Sequence, residues 1–104
     1  MKYCVVLSTA ANQTEADKIA EVLLKNHIAA CVQFVPISSC YWWNGNIEHA
    51  NEIQMFIKTT DELYNRVQEE IRKNHSYDVP EIVKIPIDSG LPEYLGWISK
   101  ETIA

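Results

Sequence analysis

Positive charge is scarce in this chain of 104 residues. Nine lysines and arginines stand against 14 aspartates and glutamates, a net charge of −5, and no stretch forms a basic block. A nucleic-acid or anionic-membrane surface is therefore disfavoured as the main partner. Long apolar runs are missing too, and none approaches the roughly 20 residues of a membrane-spanning helix. The N-terminal "MKYCVVLSTAA" imitates a secretory signal, with small residues after an apolar run, but Tyr3 to Leu7 is too short for the apolar segment of one. It reads as a first strand. Cysteine is limited to Cys4, Cys31 and Cys40, and three thiols cannot all pair within one chain. The expectation is a cytoplasmic protein with reduced thiols. Absent as well are a G-x-x-x-x-G-K-[ST] phosphate loop, a G-x-S-x-G elbow, any internal repeat and any Pro/Gly/Ser linker. Residues 1–104 read as one ordered domain.

What is present alternates between two periods. In "KYCVVLS" Tyr3, Val5 and Leu7 point one way and Cys4 and Val6 the other, so this strand needs cover on both faces. In "NQTEADKIAEVLLKNH" the apolar residues Ala16, Ile19, Ala20, Leu23 and Leu24 form one helical stripe. Asn12 with Glu15 three residues later predicts a capping box at its start. "AACVQFVPISSCYWW" is rich in strand formers, Asn44-Gly45 is a strong hairpin signal, and "NIEHANEIQMFIKT" returns as the partner. Pro36 removes a ladder donor from the outgoing arm, which predicts a bulge or bend there and an edge position for that arm. A second helix from about Thr60 turns Leu63, Tyr64, Val67 and Ile71 inward. "PEIVKIPI" is the fourth strand, and "LPEYLGWISKE" a short closing helix interrupted at Gly96.

The order β-α-β-β-α-β plus a terminal helix is the ferredoxin-like split βαβ plan of the α+β class. Two helices cover one face of such a sheet and leave the other open, where the two-sided first strand calls for a second layer. Hairpin arms of about 14 residues reach about 45 Å at the usual rise, while a compact domain of this size is about 33 Å across. The tip, with Tyr41, Trp42 and Trp43, therefore overhangs. Each of these rings buries roughly 150–250 Å² when covered, and together they exceed the few hundred Å² a monomer comfortably leaves in water, so the tip is expected to pack on neighbouring subunits.

Other users of this plan leave signatures that are missing. Small copper chaperones carry C-x-x-C after the first strand, where this chain has "STAANQ". An acylphosphatase-like enzyme needs an arginine in a phosphate loop, but Arg66 and Arg72, the two arginines, fall on the second helix. An RNA-recognition domain shows a basic sheet face with exposed aromatics.

Five segments in order, "AACV" at 29–32, "PISSCYWWNGNIE" at 36–48, "EIQMFIKTT" at 52–60, "HSYDVPEI" at 75–82 and "YLGWI" at 94–98, closely resemble the divalent-cation tolerance proteins of the CutA family. The resemblance spans nearly the whole chain. It implies a ferredoxin-like subunit, a tight homotrimer whose hairpins cross subunit boundaries, an association with copper and other divalent cations, and no established reaction. No metal is expected to be required for folding. In relatives reported to bind copper, the ligands look like a cysteine ending the first strand and two adjacent histidines; here those positions hold Ser8, Asn74 and His75. His75 is then the strong candidate ligand, with Cys31 as a possible thiolate and Glu81 as an oxygen donor. His27 suits a helix C-terminus, and His49 is expected in solvent. A second reading is a trimeric regulator that binds a small molecule in clefts between subunits, lined by Lys58, Tyr77, Glu81 and Tyr94.

Overall fold

Seven regular elements follow the expected order in the computed structural model, which describes residues 1–103. They are β1 (Tyr3–Ala10), α1 (Gln13–Lys25), β2 (Cys31–Trp43), β3 (Asn46–Thr60), α2 (Tyr64–Asn74, entered through a 3₁₀ turn at Asp61–Leu63), β4 (Ile82–Ile87) and α3 (Pro92–Glu101). The strands form one antiparallel sheet in the order β2-β3-β1-β4. This is the ferredoxin-like α+β arrangement.

Alternation along β1 sorts its side chains. Cys4, Val6 and Ala10 join Met55 and Ile57 of β3 beneath the helices, which contribute Ala16, Ile19 and Leu23 from α1 and Leu63, Val67 and Ile71 from the α2 segment. Each fully buried Leu, Ile or Val of this set contributes about 1.5–3 kcal/mol. Burial, then the nearby Asp61, pushes the Cys4 thiol up to about 11, so it behaves as a small packed hydrophobe.

The other sheet face carries Val5 and Leu7 beside their cross-strand partners Phe56, Ile85 and Val83. α3 covers only one end of it, where Tyr3 shares a hydrogen bond with Ser99 and Lys58 Nζ donates to Tyr94 Oη at 3.0 Å. Val35, Val83 and Ile85 stay 44–47% exposed on that face.

Local signals were mostly kept, with three corrections. Asn12 Oδ1 accepts from the Glu15 N–H at 2.9 Å, but the Glu15 carboxylate does not reach back to Asn12; it binds elsewhere, as described below. α3 runs through Gly96 without interruption, because a continuous ladder there outweighs the propensity cost of about 1 kcal/mol for one glycine. No bulge occurs at Pro36, and the register runs unbroken through Pro36↔Ile53. The turn explains why. Asn44 (φ 50°) and Gly45 (φ 80°) take the left-handed conformations of a type I′ turn, which makes Trp43↔Asn46 a hydrogen-bonded pair. Pairs then alternate, so Pro36↔Ile53 is non-hydrogen-bonded and the proline nitrogen faces away from β3. β2 is the edge strand, as expected, and loses no internal bond there.

β1 pairs with β3 only as far as Ala10↔Ile53, so the hairpin beyond residues 37 and 52 stands clear of the sheet. The molecule measures 44 × 25 × 21 Å. Trp42 is 72% exposed at the tip, and Tyr41, Trp43 and Ile47 are exposed with it.

Candidate functional site at the root of the hairpin

The loop after α2 is held from three sides. α2 ends at Asn74, whose Nδ2 donates to the Glu70 carbonyl at 2.8 Å, and His75 turns into extended backbone with its side chain fully buried. Nδ1 of His75 accepts from the Tyr77 N–H at 3.1 Å, which leaves Nε2–H to donate to the Thr9 carbonyl at 2.6 Å. The ring is therefore the neutral Nε2–H tautomer and clamps the loop to the end of β1. Tyr77 stacks at a tilt on His75, 4.7 Å between centroids, and its hydroxyl donates to Glu52 Oε2 of β3 at 2.9 Å. From α1, Glu15 accepts the N–H groups of Ala11 at 3.0 Å and Ser76 at 2.9 Å.

These contacts set the electrostatics. Burial acts first on Tyr77 and the Glu52 carboxylate adds to it, pushing the phenol up to about 12, so the hydroxyl stays a donor. Burial alone would raise Glu15, but its hydrogen bonds from Ser76 and Ala11 outweigh that and hold the carboxyl below its ordinary value.

Between this loop and the hairpin lies a cavity of about 590 Å³, bounded by Thr9, Tyr41, Trp43, Glu52, Tyr77 and Glu81 among others. Its walls are part aromatic and part carboxylate. Lys58 and Tyr94 do not border it; they bond to each other under α3. The expected cleft of Lys58, Tyr77, Glu81 and Tyr94 thus divides into two places within one subunit.

The anticipated metal ligands do not converge either. Both nitrogens of His75 are committed to hydrogen bonds and have no lone pair to offer a cation. Cys31 sits half-buried opposite Lys58 on the sheet face away from α1 and α2, and Glu81 is exposed at the rim of the cavity. Ser8 Oγ is buried without a hydrogen-bond partner. Among the described residues no three His, Cys, Asp or Glu side chains come together to hold a metal. Ser8, Asn74 and His75 accordingly do not fit a copper centre in this conformation. His27 does more than complement a dipole: it takes φ 54° past the end of α1, where the Ile28 N–H bonds the Leu23 carbonyl and the His27 N–H the Leu24 carbonyl.

Two participants were missed from sequence, Thr9 and Glu52. Thr9 contributes only a backbone carbonyl, which no residue type announces. Glu52 was partly accessible, since the Asn44-Gly45 turn fixes its register partner as Ile37, but nothing local tells that Tyr77 meets it from 25 residues on.

The model of the family described as CutA1 divalent ion tolerance protein matches residues 4–101. The chain belongs to that family. Its similarity to the divalent-cation tolerance protein CutA of Archaeoglobus fulgidus is 46% identity over 92 residues, covering 88% of this chain and 90% of that one. The solved structure of the A. fulgidus protein, described as a periplasmic divalent cation tolerance protein, superposes with a TM-score of 0.94 at 42% identity, covering 95% of this chain and 97% of that one. CutA1 of Oryza sativa superposes with a TM-score of 0.96 at 36% identity, covering 99% and 95%. CutA1 membership brings a role in divalent-cation tolerance, and the family is named for that role rather than for a reaction. No helix among the described residues is long and apolar enough to cross a membrane.

Proposed function

We propose that this CutA1-family chain works as a non-enzymatic homotrimer in divalent-cation tolerance, without nucleic-acid or membrane partners. The observation that carries the reading is the half-covered sheet. Val35, Val83 and Ile85 are 44–47% exposed on one face, and Tyr41 and Trp43 add exposed apolar surface on the same face of the overhanging hairpin, which a second layer would bury. A neighbour's hairpin laid head-to-tail on this face supplies that layer and closes into a ring. Copper or another divalent cation is held weakly, because Ser8 is a poor neutral ligand and His75 must give up at least one of its two hydrogen bonds to coordinate. A cytoplasmic location suits the three unpaired cysteines, although the A. fulgidus relative is described as periplasmic.

A second reading is favoured by the cavity at the hairpin root, whose aromatic walls and convergent Tyr77 and Glu52 suit a small polar ligand in a trimeric regulator. Light scattering with native mass spectrometry, with and without copper, separates these readings. The wild type is expected to hold three chains on dilution, and Ile85→Lys and Trp43→Ala to shift it toward smaller species. A stable wild-type monomer sinks the trimer, and a thermal shift by a small molecule without metal favours the regulator.

A further inference from the structure

Cys40 and His49 face each other across β2 and β3 in the overhanging hairpin. The type I′ turn makes theirs a non-hydrogen-bonded pair, the kind whose Cα atoms approach to about 4.5 Å and whose side chains lie closest. Cys40 Sγ stands 3.8 Å from His49 Nε2, and both residues are exposed. Neither atom is engaged by the clamp around His75.

The distance has a chemical meaning. An ion about 2.3 Å from a thiolate and about 2.05 Å from an imidazole nitrogen spans 3.8 Å with a sulfur–metal–nitrogen angle of about 120°. That angle is trigonal, so an ion fits between the two atoms where they already stand and keeps at least one position open to solvent. A sulfur and nitrogen donor pair discriminates against magnesium and calcium, which prefer oxygen. We propose that Cys40 and His49 form a two-residue site for a soft or borderline metal ion, Cu(I) or Zn(II), on the outer part of the hairpin.

On binding, the S–H bond breaks, its proton leaves to solvent, and the thiolate pair forms the metal–sulfur bond. His49 donates the Nε2 lone pair as its Nδ1–H tautomer, and the metal keeps its oxidation state. The site uses residues other than those named for weak copper binding, and its test reads ions per chain, whatever the assembly.

The full-length reduced chain is titrated without oxygen, once with Zn(II) and once with Cu(I), against a competing chromophoric chelator. One ion per chain is expected from at least one of the two, which also decides between them. Loss of groups one shell beyond a metal costs about 10–100-fold, so Cys40→Ser and His49→Ala should each weaken binding at least about tenfold. Cys31→Ser should leave it intact. The paired substitution His49→Ala with Ala50→His moves the imidazole to the opposite sheet face without changing composition, and should lose the site. With Co(II), the wild type should show a thiolate-to-cobalt charge-transfer band that Cys40→Ser abolishes, with circular dichroism verifying the fold of each variant. No uptake of either ion by the wild type overturns the proposal, as does uptake that survives Cys40→Ser or the relocated histidine.

Discussion

The Tyr77 hydroxyl donates to the Glu52 carboxylate at 2.9 Å, joining the loop after α2 to the strand that carries the overhanging hairpin. His75 secures the same loop to β1 through the Thr9 carbonyl. The hairpin root is therefore braced by side chains rather than by the sheet ladder, which has already parted at Ala10↔Ile53.

Tyr77→Phe removes one brace and leaves Glu52 without its partner. A hydrogen bond to a charged group contributes about 1.5–3 kcal/mol when buried, and this half-exposed one should cost about 1–2 kcal/mol in urea unfolding at neutral pH. The phenol titrates near 12 in the fold against 10.0 ordinarily, so its contribution is complete below pH 10 and is lost as pH rises from 10 to 12. The gap between wild type and variant should narrow across that interval, and a constant gap would contradict the assignment.

Glu15→Gln tests the acid side. The carboxyl is held below its ordinary value of 4.5, so its stabilisation is present above that pH and disappears as pH falls through the lowered value. The variant should be less stable by about 1 kcal/mol at neutral pH, with wild type and variant converging in acid unfolding series. Parallel curves down to the lowest pH would remove the carboxylate from this role.

His27→Gly and His27→Ala form a matched pair. Both lose the contact from His27 Nδ1 to the Glu101 carbonyl at 3.1 Å, but only alanine keeps a Cβ at φ 54°. Left-handed backbone costs a non-glycine residue about 1–2 kcal/mol, partly offset by the greater unfolded freedom of glycine. The glycine variant should melt higher than the alanine variant, by the equivalent of about 1 kcal/mol. Equal melting temperatures would show that the strain is relieved some other way.

The fold was legible wherever one local rule decides. Period-2 and period-3.6 patterns located the strands and helices, and Asn44-Gly45 fixed a register in which the pair positions sum to 89, as in Trp43↔Asn46 and Cys40↔His49. That arithmetic alone would have paired Cys40 with His49. The site was less legible because it depends on contacts between distant segments: Glu15 looked like a local cap yet reaches Ser76, 61 residues on. His75 had the right chemistry for a ligand, but only the fold reveals that both its nitrogens are taken. Pro36 was misjudged in its local effect because the direction of its nitrogen follows from the turn, eight residues away.

That direction has a consequence beyond the single chain. A strand of 13 residues at a sheet edge presents a row of outward N–H and C=O groups on which a stray chain can add its own strand, the first step toward fibrillar aggregates. Because the nitrogen of Pro36 faces outward, the row lacks a donor between residues 31–35 and 37–43. An incoming strand cannot zip along the edge without meeting the pyrrolidine ring. The residue that costs the sheet no internal bond thus guards the open edge of the freshly made chain against misassociation.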